Sequence, residues 1–187
     1  MWRWWFLILF FFSSSINSHE IKPAIVDLII TNGQASIDFK INAEQVLAGV
    51  DASKYQDTNF SPQAELYDQY REKNENELKQ DIQQNWSLFQ DQIIFNGLDG
   101  DYSLNLIDLI INQDVNPDYP RDTDLKTKVL LYQDKFTVQF ATKLGPVVIR
   151  QFEDISKENM IFSTYLQPGE ISVELSPQSE SKISQTI

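Results

Sequence analysis

Residues 21–41 read IKPAIVDLIITNGQASIDFKI, and this stretch decides the fold class. Its first half is rich in β-branched residues: Ile21, Ile25, Val26, Ile29, Ile30 and Thr31. Such side chains are stiff at χ1 and pack well on a pleated surface, so they favour strands. Asn32-Gly33 follows. Both central positions of a type I′ turn need positive φ, which makes Asn-Gly a strong short hairpin signal. From Ala35 to Ile41 the chain alternates inward and outward, with Ala35, Ile37, Phe39 and Ile41 on one side. The stretch predicts a β-hairpin with one buried face. Pro23 belongs near the start of the first strand or on an edge, because it has no N–H for a ladder.

Downstream the period changes. Asn42 can cap a short helix from Ala43 to Val50, closed by Gly49, and a polar loop runs from Asp51 to Asn59. Ser61-Pro62 reads as a helix start, with Ser at the N-cap and Pro at the first position. Leu66, Tyr67 and Tyr70 share one side of that helix, and Asn74 to Glu77 interrupts it. Leu78, Ile82, Trp86 and Phe89 then recur at helical spacing, so residues 42–90 form a helical insertion. Its Gln, Glu, Asp and Lys positions read as a solvated face. Strand patterns return at Ile93–Phe95, Tyr102–Ile111, Leu125–Tyr132, Lys135–Lys143, Val147–Phe152 and Met160–Leu166. The expected fold is mainly β: an antiparallel β-sandwich with a helical insertion, which a classifier could equally place as α+β. Residues 19–170 form the domain, and 171–187, rich in Ser, Gln, Glu and Pro, read as a flexible polar tail.

Upstream of the hairpin, residues 1–18 read as a secretory signal peptide. Arg3 and the terminal amine supply the positive end, and Trp4 to Phe12 the apolar run. As a helix that run rises about 14 Å against roughly 30 Å of hydrocarbon, too short to span it well. Ser13 to Ser18 supplies small residues for cleavage after Ser18. An uncleaved anchor extended through the serines is the alternative. The mature chain is expected to be exported, periplasmic or extracellular, with no transmembrane helix. The formal net charge of -12 opposes binding to nucleic acid or anionic lipid. The absence of cysteine excludes disulfides, thiolate zinc sites and thiol nucleophiles.

No catalytic constellation stands out. Asp114, Asn116 and Asp118 imitate the opening of an EF-hand loop, but Tyr119 stands where Gly is required and Leu125 where a bidentate Glu belongs. Asp99 and Asp101 read as turn residues. The chain has one histidine, His19. Cleavage after Ser18 makes it the mature N-terminus, where the terminal amine and the imidazole chelate together. Copper(II) and nickel(II) favour such nitrogen ligands, and Glu20 adds an oxygen. The plain alternative is a polar, frayed start to a strand.

His19 to Ala24 (HEIKPA), directly after an export signal, resembles the mature start of the extracytoplasmic region of HupE/UreJ-like membrane proteins. Further segments are similar: Asn42 to Asp51 (NAEQVLAGVD), Asp57 to Asn59, Tyr67 to Arg71, Pro120-Arg121-Asp122, Leu144 to Arg150 (LGPVVIR) and Tyr165-Leu166. The resemblance spans about His19 to Gly169 and rests on the order and spacing of short motifs. Members of that family usually continue into a transmembrane bundle, associated with hydrogenase and urease accessory functions and nickel transport. The resemblance implies an extracytoplasmic module without that bundle, free-standing or separately encoded. The expected function is a non-enzymatic exported domain assisting a membrane transporter or accessory protein, handling nickel or copper through His19 and Glu20. The alternative is a structural or interaction module with no ligand, docking a partner through its helical insertion. A hydrolase would need a cleft with two facing carboxylates.

Overall fold

A computed structural model of the chain describes residues 21–31, 33–97, 102–112, 119–131 and 135–177. The signal segment 1–18, His19 and Glu20 lie outside the described residues, as do Asp99, Asp101 and the loop from Asp114 to Asp118.

The hairpin forms as its pattern requires. β1 (Ala24–Thr31) and β2 (Gln34–Ile41) pair antiparallel from Ile25 opposite Lys40 to Thr31 opposite Gln34. Gly33 has φ +83°, the left-handed geometry that an Asn-Gly turn needs. The later strands are β3 (Ile93–Asn96), β4 (Asn105–Asn112), β5 (Asp122–Leu130), β6 (Thr137–Phe140), β7 (Val147–Phe152) and β8 (Met160–Leu166). β4 starts later than its pattern suggests. Tyr102 instead packs edge-on against Phe95 and accepts a hydrogen bond from the Phe95 N–H.

The main sheet has six strands in the order β4-β5-β2-β1-β7-β8, and β3 and β6 form a second sheet. Every pairing is antiparallel except one: β7 runs parallel to β1, with Ala24 opposite Val147 and Ile29 opposite Phe152. β6 lies in the other sheet, so the chain re-enters beside β1 from the end where β1 itself begins.

The helices fall between β2 and β3: α1 (Ala43–Ala48), α2 (Ala64–Arg71), α3 (Glu75–Gln84) and α4 (Trp86–Gln90). α2 begins at Ala64 rather than at Pro62, because the Ser61 hydroxyl bonds Gln63 in a turn ahead of it. α3 opens on a capping box, Asn74 with Glu77. The helices are not an appendage. Leu78, Ile82 and Phe89 are buried in the same core as Val26, Leu28, Ile37, Leu125 and Ile149 of the main sheet. Phe95, Val138 and Phe140 of the small sheet complete that core. The protein is therefore mainly β and sandwich-like, with a second layer that is part helix and part sheet.

The tail expected over 171–187 does not begin at 171. Ile171 forms a bridge to Gln139 on β6 and Leu175 one to Phe136, just ahead of β6. Leu175 is 0% exposed, and the Ser172 hydroxyl accepts from the Val138 N–H. β6 would otherwise present a bare edge, and the backbone of 171–175 covers it. Polar composition hid this, because the pairing is made by main-chain groups.

Candidate functional site

β1, β5 and β7 all begin at one end of the main sheet, and β2 ends there. α1 starts directly beyond β2, capped by Asn42, whose Oδ1 accepts from the Gln45 N–H at 3.0 Å. A cleft of about 330 Å³ opens at these strand ends. Ala24, Ile25, Ile41, Leu144 and Val148 give it an apolar floor, and Pro23 and Pro120 form walls. Its polar groups are Lys22, Lys40, Asn42, Gln45 and Asp122.

A buried pair sets the wall between α1 and β5. Arg121 is 5% exposed and Glu44 0%, and Arg121 Nε donates to Glu44 Oε1 at 2.6 Å. The other guanidinium nitrogens donate to the Lys73 carbonyl at 2.7 Å and the Tyr70 carbonyl at 2.9 Å. One side chain thus ties α1 and the end of α2 to the residue between Pro120 and Asp122. Asn42 Nδ2 donates to the Tyr67 hydroxyl at 2.8 Å. Burial pushes the Tyr67 phenol up to about 12, and the Glu44 carboxylate adds to the rise. At the opposite wall Gly145 lies so near Ala52 that an added Cβ would stand 2.9 Å from the Ala52 Cβ. A side chain there would push the 144–146 segment off the cleft floor.

Apart from Asn42, the cleft's polar side chains make no hydrogen bond to the described residues. Gln45 is 4% exposed, yet its carboxamide has no hydrogen-bond partner among the described residues. The Asp122 carboxylate has none either. Lys22 Nζ stands 5.6 Å from the Tyr119 ring centre, and Lys40 Nζ comes only to 4.0 Å of Asp124.

The adjoining outer face of the sheet is the opposite case. Arg150 donates twice to Asp27, at 2.7 and 3.0 Å, and Lys157 Nζ bridges Asp27 at 2.9 Å and Asp38 at 2.8 Å. Burial alone would raise the Asp27 carboxyl, but the bonds from Arg150 and Lys157 outweigh it and hold it below the ordinary carboxylate value. Lys157 is the non-glycine residue with positive φ, +56°, among those described, so its reach to both carboxylates is made from a strained backbone. Asp27 and Asp38 do face one another, as a hydrolase would require. Asp27 is held ionised, however, and has no proton to give near neutral pH.

Among the described residues no group of three or more His, Asp or Glu side chains is placed to hold a metal, and no helix is long and apolar enough to cross a membrane. Gln45, Lys40 and Asp122 were not singled out by sequence reasoning, although Gln45 and Asp122 fall in the segments NAEQVLAGVD and PRD. No protein-family model and no curated protein matches the chain.

Proposed function

We propose that this protein is a non-enzymatic exported binding module, that it works beside a membrane transporter or accessory protein, and that the strand-end cleft is its working surface. One observation carries the reading. Residues scattered in sequence from Pro23 to Val148 converge on this cleft: Pro23 and Ala24, Asn42 and Gln45, Pro120 and Asp122, Leu144 and Val148; the resemblance of their segments to the extracytoplasmic region of HupE/UreJ-like proteins is the premise of this proposal. A cleft with an apolar floor and uncommitted polar groups at its rim has the make-up of a small-ligand site.

The test is photocrosslinking in the native envelope. A crosslinking residue at position 40, on the cleft rim, is expected to capture an integral membrane protein, and one at position 80, on the outer side of α3, is not. Capture from 80 alone transfers the role to the helical insertion, and capture from neither refutes a membrane partner. Nickel or copper handling belongs to the same proposal through His19 and Glu20. Mass spectrometry of the exported protein should give His19 as its first residue. Calorimetric titration with nickel and copper should then show binding that His19→Ala abolishes; heat unchanged by that substitution removes the metal.

A further inference from the structure

Resting on the reading of the cleft as the working surface, we infer that its ligand is a small zwitterion with an apolar body: an apolar amino acid or a short apolar peptide. The carboxamide of Gln45, a residue 4% exposed that lines the cleft, makes no hydrogen bond to the described residues and is the starting point. A carboxamide presents a donor pair and an acceptor together, the complement of an amino-acid or peptide group. A carboxamide that opens on the cleft with donor pair and acceptor uncommitted is free to bond a group that arrives there.

The rim supplies charges of both signs. Lys22 and Lys40 offer ammonium groups with no hydrogen bond committed, and Asp122 a carboxylate with no partner among the described residues. A simple anion would leave Asp122 facing its own charge, and a simple cation would meet two lysines. A ligand carrying both charges satisfies the whole rim. The apolar floor of Ile25, Ile41, Leu144 and Val148 takes its side chain. About 330 Å³ suits a molecule of that size and is small for a folded partner's helix. The neighbouring carboxylates Asp27 and Asp38 are already engaged by Arg150 and Lys157.

Isothermal titration of the purified protein tests this with leucine and the Leu-Leu dipeptide as probes. Octanoate, an anion without an ammonium, and N-acetyl-leucine amide, without charges, are the controls. Saturable one-to-one binding of leucine or Leu-Leu is expected. Gln45→Met and Asp122→Asn should each weaken it about tenfold or more at an unchanged melting temperature, the loss typical of one charged or buried hydrogen bond. Leucine binding as well as Leu-Leu identifies a free amino acid, and binding of Leu-Leu alone a peptide. No saturable heat with either probe at millimolar concentration overturns the inference. So does octanoate binding as tightly as leucine, or affinity unchanged in both variants. Crosslinking from position 40 that persists when no probe binds would sink this inference and leave the membrane-partner reading standing. Probe binding without crosslinking would do the reverse.

Discussion

Replacing Arg121 by Met tests whether the buried pair is what holds the cleft wall. Glu44 is fully enclosed, its Oε1 accepts from Arg121, and its Oε2 has no hydrogen-bond partner. Removing the guanidinium leaves that carboxylate alone in the interior, a change that costs about 3–5 kcal/mol when one member of a buried pair is deleted. The Tyr70 and Lys73 carbonyls lose their donors too, but these losses share a cause and do not simply add. For a domain of this size the expected drop in melting temperature is roughly 6–20 °C. Thermal unfolding followed by Trp86 fluorescence measures it, since the other tryptophans precede residue 18. The informative partner is Arg121→Met combined with Glu44→Leu. With both charges gone, no uncompensated carboxylate remains, and the double variant should recover much of the loss. The residual deficit belongs to the two carbonyls. A single-variant loss under about 1 kcal/mol, or a double variant whose loss is the plain sum of the singles, would refute the reasoning.

Three further outcomes follow from the packing and the charges. Leu175→Ala should cost about 2–5 kcal/mol, and a chain ending at residue 170 should melt below one ending at 177; equal melting would mean that 171–177 is the tail its composition suggests. Asp27 titrates below its ordinary value when folded, so the unfolded chain takes up the proton first as pH falls. Its contribution is therefore complete above about pH 3.8 and is lost below it; Asp27→Asn should flatten the acid limb of stability measured by urea melts from pH 2 to 6, and an unchanged limb would exclude the ion pairs as its source. Tyr67, raised to about 12 by burial, should give a 295 nm absorbance step near that pH that is missing in Tyr67→Phe, and stability should decline between pH 10 and 12; in Tyr67→Phe that decline should shrink.

What could be read from the chain in advance was whatever its neighbours in sequence decide. Asn-Gly sets a hairpin because two adjacent dihedrals must be positive, and Asn74 with Glu77 starts α3 because a cap is completed within four residues. The parallel pairing of β1 with β7 could not be read, since it joins residues more than a hundred positions apart and no local pattern distinguishes it. The docking of 171–175 on β6 is of the same kind, for a free edge accepts any extended backbone and the polar side chains say nothing of it. The cleft combines both difficulties. Gln45 lies in α1, where a lone Gln reads as part of a solvated face, and Asp122 opens a strand in an acidic chain where carboxylates are common. Each has an ordinary explanation while it is considered alone. Arg121 removes it, because a guanidinium that binds Glu44 on one helix and two carbonyls at the end of another forces the helix bearing Gln45 against the strand bearing Asp122. Their lack of protein partners is then a property of the assembled fold, and it leaves both side chains open to a group that enters the cleft.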